Sequence, residues 1–224
     1  MIRIMKRSRL AFLLLVFAVV SAVAAHAQAT QTQPQPAKAQ SQFAQIDISG
    51  SFYEAFTSGT AGNGTKQTPA NADGGMVEGR YLMNRLAGFG MSYSYNQADQ
   101  TFAPNGTACE YTCANPVAKL SAKASEIALL WVPSTKIGSI RPFAIGGVGF
   151  FITPTANSTY EVNTVVRPVY VVGGGLDFSL TSHFGVRVQY RDNLYKAPNL
   201  AAFYPATGQF TSSSEPMGGI FYRF

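Results

Sequence analysis

The strongest constraint in this 224-residue chain is a period of two that returns along most of its length. In Ile46-Asp47-Ile48-Ser49-Gly50-Ser51-Phe52, apolar or small residues alternate with polar ones, which puts Ile46, Ile48 and Phe52 on one face of a strand. The same alternation runs through Val77-Glu78-Gly79-Arg80-Tyr81, Phe89-Gly90-Met91-Ser92-Tyr93-Ser94-Tyr95-Asn96 and Phe184-Gly185-Val186-Arg187-Val188-Gln189-Tyr190-Arg191. Further strands are expected over 119–132, 140–152, 166–179 and 215–224, which makes eight. The segments 84–88, 133–139 and 180–183 between them are short, whereas 57–74, 97–117, 153–164 and 192–213 are long. Short turns at one end and long loops at the other, on an even number of strands of about 9–11 residues, describe an antiparallel up-and-down barrel that crosses a membrane. A soluble two-sheet sandwich has no reason for that asymmetry of its ends.

Much of the chain's formal basicity lies at its N-terminus. The formal charge of +6 comes from 17 Lys and Arg against 11 Asp and Glu. Four of the bases, Arg3, Lys6, Arg7 and Arg9, precede an apolar run from Leu10 to Ala25, and Ala25-His26-Ala27 follows the pattern of a cleavage site. This arrangement reads as a secretory signal peptide over residues 1–27. Removing it leaves 13 bases against 11 acids, so the apparent basicity gives no support to nucleic-acid binding. No Cys follows the cleavage site, which argues against lipid anchoring. Residues 28–43, rich in Gln, Pro and Ala up to Phe43, are expected to form a flexible periplasmic tether. The barrel is expected over 44–224.

Facing follows from parity. Tyr81, Phe89, Trp131, Phe178, Phe184, Tyr222 and Phe224 fall outward near the short-turn end, and Phe52, Tyr95, Phe150, Tyr170 and Tyr190 outward near the other, as two interfacial girdles require. Asp47, Glu78, Arg80, Lys123, Glu126, Arg141, Asp177, Arg187, Gln189, Arg191, Glu215 and Arg223 are expected to point into the lumen. Register arithmetic pairs Asp177 with Arg187, Glu215 with Arg191, and Arg223 with Asp47 across the closure. A packed polar interior needs both signs interleaved, because an unpaired buried charge is costly. One strand breaks the pattern: Lys119 and Lys123 have odd parity and Glu126 even. A β-bulge near Ala124 and Ser125 would return all three to the lumen and is the preferred reading. The alternative places Lys119 above the membrane.

The C-terminal run Gly218-Gly219-Ile220-Phe221-Tyr222-Arg223-Phe224 ends in Phe, with Tyr222 and Ile220 on the same face. It resembles the terminal assembly signal of bacterial outer-membrane proteins, and residues 44–224 resemble the small eight-stranded barrels of the OmpA and OmpX type. The resemblance implies location in the bacterial outer membrane, contact with its lipid and lipopolysaccharide, and recognition of Ile220, Tyr222 and Phe224 by the barrel-assembly machinery. A monomer is expected. Unlike the two-domain pattern of OmpA, a peptidoglycan-binding domain after the last strand is not expected.

Eight strands enclose an interior that side chains just fill, so the charge network reads first as a static plug. The competing reading is a narrow, gated ion path, but no single Glu stands out as a gate. Cys109 and Cys113 fall in one long loop and are most simply a disulfide in an oxidising compartment. A metal site is the alternative, with too few ligands nearby. Asn63-Gly64-Thr65, Asn105-Gly106-Thr107 and Asn157-Ser158-Thr159 read as turn chemistry. In the last loop, Tyr195, Phe203, Tyr204 and Phe210 could be binding anchors, or could pack on other loops or at the lipid rim. Catalysis is not expected: after cleavage only His183 remains, beside Ser182 in a short turn at the end opposite the outer leaflet. No cofactor is implied. The expected role is envelope integrity with loops displayed for surface interaction or adhesion. The alternatives are a low-conductance pore and, behind it, a lipid-modifying enzyme.

Overall fold

The computed structural model describes residues 45–84, 86–105, 117–153, 164–201 and 204–224. The signal peptide, the tether, Cys109, Cys113, Phe203 and the sequon at Asn157 lie outside the described residues. Among the described residues ten strands are present: β1 (Gln45–Thr57), β2 (Thr60–Gly62), β3 (Thr65–Pro69), β4 (Ala72–Leu82), β5 (Gly88–Pro104), β6 (Ala118–Trp131), β7 (Ile140–Thr153), β8 (Val165–Ser179), β9 (Phe184–Lys196) and β10 (Phe210–Arg223). All pairings are antiparallel. The order β5-β4-β1-β10-β9-β8-β7-β6 closes through a β5–β6 pairing, so eight strands form a closed barrel. The short β2 and β3 extend the first extracellular connection, with β3 pairing on β5. Among the described residues no helix is long and apolar enough to cross a membrane, and the strands make the crossing.

The alternation read in the sequence is the wall of this barrel. Along β1 the burial alternates so that Asp47, Ser49, Ser51, Tyr53 and Ala55 are enclosed while Ile46, Ile48 and Phe52 face outward. Closure removes every edge, and each inward residue is covered by the opposite wall. Apart from β4, with 11 residues, the barrel strands run longer than the 9–11 residues expected, up to 17 in β5. At ~3.3 Å per residue and a tilt near 45°, seventeen residues rise well beyond an apolar band ~25 Å tall. The extra length lies on the extracellular side, where β5 and β6 stay paired as far as Phe102 and Ala118.

A one-residue slip exists, but not where the charges suggested it. The β5–β6 register is unbroken from Phe89↔Trp131 to Phe102↔Ala118, so there is no bulge at Ala124 and Ser125. Lys119 and Lys123 therefore face outward and are exposed, while Glu126 is enclosed. The assignment of Lys123 to the lumen is corrected. Its physical reason is height: Lys123 pairs with Gln97, beyond the Tyr95↔Ser125 pair of the outer aromatic band, where an ammonium reaches water without crossing hydrocarbon. The slip occurs between β3 and β4 instead. Pro69 opposes Gln100 and Gly74 opposes Asn96, so four residues on one side face three on the other.

Turn chemistry follows the residues supplied for it. Asn63 and Gly64 carry φ of 50° and 75° and join β2 to β3, the positive-φ pair that a tight hairpin demands. At the periplasmic end, Asn84 Oδ1 accepts the amides of Leu86 and Ala87 at 2.9 and 2.8 Å. The long connection from β9 to β10 is not a free loop. Ala197, Leu200, Ala201, Tyr204 and Thr207 are buried, and Leu200, Ala201 and Tyr204 pack with Phe102, Leu120 and Ala122 across the extracellular mouth. The Thr207 and Thr60 hydroxyls lie 3.1 Å apart, and Asn63 Nδ2 donates to the Ala206 carbonyl at 2.8 Å.

Candidate functional site

The lumen charges divide into two layers. The lower layer, toward the periplasm, is centred on Arg187 of β9. Its Nε donates to Asp177 Oδ1 at 2.7 Å and its Nη2 to Asp177 Oδ2 at 3.1 Å and Asp47 Oδ1 at 2.9 Å. Its Nη1 donates to Ser49 Oγ at 2.8 Å and lies 3.7 Å from Glu78 Oε1. Arg80 pairs with Glu78, two residues away on the same strand face, and donates to Gln189 Oε1 at 2.7 Å. Arg141 donates to Gln45 Oε1 at 2.7 Å. The expected pair of Arg223 with Asp47 spans 3.9 Å, and Arg223 also reaches Ser179 Oγ at 3.3 Å. Asp47 is thus held first by Arg187 and only distantly by Arg223.

The upper layer is centred on Arg191. Its Nε donates to Glu215 Oε2 at 2.8 Å, its Nη2 lies 3.1 Å from Glu126 Oε1, and its terminal nitrogens reach Ser92 and Ser94 at 3.4 and 3.3 Å. Asn193 Nδ2 donates to Glu215 Oε1 at 2.9 Å. Side-chain charges do not balance within a layer. Below stand four arginines, Arg80, Arg141, Arg187 and Arg223, against Asp47, Glu78 and Asp177. Above stands Arg191 against Glu126 and Glu215, with Arg167 on the inward parity of β8 toward the extracellular end.

The inward aromatics, Phe143 and Phe221, support the arginines. Arg80 stacks 4.1 Å above the Phe143 ring and Arg223 4.8 Å above Phe221, with Arg187 5.7 and 5.3 Å from the same two rings. Tyr53 and Phe221 lie across their register partners Gly74 and Gly185, where a Cβ would overlap the ring. We expect Gly185→Val to push Phe221 off Arg187 and Arg223 and to cost ~1–3 kcal/mol, read as a lower urea midpoint for refolded protein.

The outward aromatics occupy the expected wall positions. Phe52, Tyr81, Phe89, Tyr95, Trp131, Phe150, Tyr170 and Phe184 are exposed, while Phe178 and Tyr190 are half-buried. Trp131 Nε1 donates to the Leu86 carbonyl at 2.8 Å, which ties the inner band to a periplasmic turn. At the C-terminus, Ile220, Tyr222 and Phe224 share the outward face; Tyr222 meets Phe184 and Phe224 edge-on at 5.0 and 4.9 Å. Of the last-loop aromatics, Tyr195 stacks on Phe151 at 4.4 Å and Tyr204 on Phe102 at 6.1 Å, so these two pack inside the mouth, and Phe210 remains exposed. Ser182 Oγ and His183 Nδ1 lie 2.8 Å apart in an exposed periplasmic turn, with the imidazole stacked on Tyr222. Among the described residues no three His, Cys, Asp or Glu side chains converge as a metal centre.

A closed eight-stranded wall with apolar residues outside and paired charges inside defines the class of small transmembrane barrels. The chain belongs to the outer membrane protein beta-barrel domain family, whose model matches residues 15–211, and it is accordingly a protein of the bacterial outer membrane. Among solved structures it is similar to the outer membrane protein OprG of Pseudomonas aeruginosa, with a TM-score of 0.54, 14% identity, and 81% of this chain and 96% of that one covered. Neisserial surface protein A also gives a TM-score of 0.54, at 11% identity over 80% of this chain and 97% of that one. The attachment invasion locus protein of Yersinia pestis matches at 16% identity and a TM-score of 0.48, over 81% and 99%. No curated protein matches the chain significantly.

Proposed function

We propose that this barrel is a closed structural element of the outer membrane that displays its extracellular connections for surface interaction or adhesion, and that it neither conducts ions nor catalyses a reaction. The observation that carries the reading is a lumen filled by two layers of buried ion pairs, centred on Arg187 and Arg191. A small ion of either sign would have to desolvate and then displace these pairs. The Leu200–Ala201–Tyr204 packing at the mouth adds an apolar cover. Against catalysis stands the place of the Ser182–His183 pair: it lies in a periplasmic turn and has a Tyr ring, rather than a carboxylate, beside the imidazole.

The outward apolar wall fits lipid and lipopolysaccharide as its surroundings, and the Ile220–Tyr222–Phe224 face fits recognition by the barrel-assembly machinery. The reading also takes the chain as a monomer without nucleic-acid partners. Planar-bilayer recording on refolded mature protein tests it, and a silent bilayer is expected. Stepwise currents abolished by Arg187 or Glu215 substitutions would establish the narrow-pore alternative instead. Lipid A modification lost on His183→Ala would establish an enzyme.

A further inference from the structure

Beyond the outer aromatic band the wall continues as a sheet of β3, β5 and β6, with β5 in the middle. One face of this sheet looks into the mouth, where Phe102, Leu120 and Ala122 pack beneath the β9–β10 connection. The other face points away from the barrel axis and carries Lys66 of β3, Gln97, Asp99 and Thr101 of β5, and Lys119 and Lys123 of β6. The register gathers the lysines around β5. Lys123 opposes Gln97 and Lys119 opposes Thr101, while Lys66 opposes Ala103 from the other side, so Lys66 and Lys119 flank that strand one pleat apart. All three are exposed, and the ion pairs among the described residues all lie in the lumen. Asp99 opposes Ser121, between the two β6 lysines, and pairs with neither. Three ammonium groups around one carboxylate leave the face cationic.

Height decides what such a face meets. Lys123 stands two residues beyond the Tyr95↔Ser125 pair, and Lys119 is ~13 Å of strand further out. A side chain directed outward from the wall at this level enters the layer of lipid head groups. The sign of the rim is segregated as well. On the adjoining sector Glu54 of β1 and Asp73 of β4 oppose each other and face outward, at the level of Gln97, because the next residue, Gly74, opposes Asn96. We infer that the outward face of β3, β5 and β6 binds the phosphate groups of the lipopolysaccharide head group in the outer leaflet, with Lys119 and Lys123 as the main contacts and Lys66 as the outermost. An ammonium group binds phosphate as a point charge and tolerates many orientations of it. The Ser121 hydroxyl accepts from Gln97 Nε2 at 3.0 Å and keeps its own proton to donate between the two lysines. The inference rests on the reading that lipopolysaccharide surrounds the outer wall, and adds to it one sector and one chemical group.

A ligand that binds the folded state alone raises its stability by mass action. The test measures urea unfolding of the refolded full-length mature protein from phosphatidylcholine vesicles, alone, with bisphosphorylated lipid A, or with the same lipid A stripped of its phosphates. A chelator removes divalent cations that could bridge phosphate to Glu54 and Asp73. The expected result is a midpoint raised by the phosphorylated lipid only, and raised less as salt is added. Lys66→Gln, Lys119→Gln and Lys123→Gln together should keep the parent midpoint in phosphatidylcholine and lose most of the rise, with apparent affinity falling about fivefold per lysine. The three corresponding Lys→Arg changes should retain the rise, as should Glu54→Gln with Asp73→Asn. An equal rise with dephosphorylated lipid A would overturn the inference on the parent protein alone, whether or not the variants refold. A rise undiminished in the triple Gln variant would overturn it too. Binding of a soluble sulfated polysaccharide through these lysines, with no response to lipid A, would assign the face to a soluble polyanion and overturn it as well. Stepwise bilayer currents beside an intact lipid A response would defeat the closed-barrel reading and leave this face standing; a silent bilayer without that response would do the reverse.

Discussion

Arg187→Ala should be the most damaging single substitution in the lumen, lowering stability by ~3–5 kcal/mol. Arg187 is fully enclosed and lies within 3.7 Å of three carboxylates, Asp47, Glu78 and Asp177, each from a different strand. Removing the guanidinium leaves the enclosed Asp177 without an ion pair and Asp47 with Arg223 alone at 3.9 Å, while Glu78 keeps Arg80. Most of the cost comes from the charges left behind rather than from the hydrogen bonds that disappear with the guanidinium. Urea unfolding of refolded protein, followed by the heat-dependent gel shift typical of barrels, measures it. A second substitution provides the check: Asp177→Asn added to Arg187→Ala should restore part of the loss, because the two groups share one network. A loss no larger than that of an outward substitution such as Lys123→Gln would show that the lower layer contributes little.

The second large effect belongs to the outer wall. Leu129 is 63% exposed on β6, between Met91 of β5 and Val148 of β7, inside the band bounded by Trp131 below and Tyr95 above. In a soluble protein, so exposed a leucine would tolerate a charge. Here Leu129→Arg is expected to cost ~2–4 kcal/mol, the depth-dependent penalty for a cation facing lipid. Lys123, six residues further along the same strand face, already carries a charge at the edge of that band, and Lys123→Leu should change stability little. Unfolding from lipid vesicles measures both. Equal effects at Leu129 and Lys123 would contradict the placement of the band.

The wall was legible in the sequence because a strand has only two faces and a barrel gives each a different solvent. Asp47, Arg187 and Ile48 could be placed from parity alone. Parity fails wherever the register slips, and the slip is not marked by charge. Lys123 and Glu126 conflict in parity because the strand leaves the membrane between them, which is a question of height rather than of facing. The true slip, at Ala70 and Asn71, lies in a polar stretch where either parity is acceptable, so nothing in the sequence signals it. The partners within the lumen were harder still. Asp177 with Arg187 and Glu215 with Arg191 join neighbouring strands and follow from hairpin register. Arg187 with Asp47 and Arg191 with Glu126 cross the interior, and only the closed barrel brings them together. Parity with Arg141 and Arg223 gives Phe143 and Phe221 to the lumen, but that their rings lie against Arg80, Arg187 and Arg223 follows only from the closed barrel.

That distinction between neighbouring and crossing pairs bears on the order in which the chain acquires its form. Asp177 can neutralise Arg187 as soon as the β8–β9 hairpin exists, but Asp47 and Glu78 belong to β1 and β4 and reach it only when β10 has paired with β1. An open sheet of eight strands would hold all the same backbone bonds except those at one seam, yet it would leave these carboxylates facing their arginine across a gap. Closing the seam therefore completes the last row of backbone bonds and joins the separated charges in a single event. The interior acts as a latch that makes the half-closed barrel an unfavourable intermediate and the join between first and last strands the step after which reopening becomes slow.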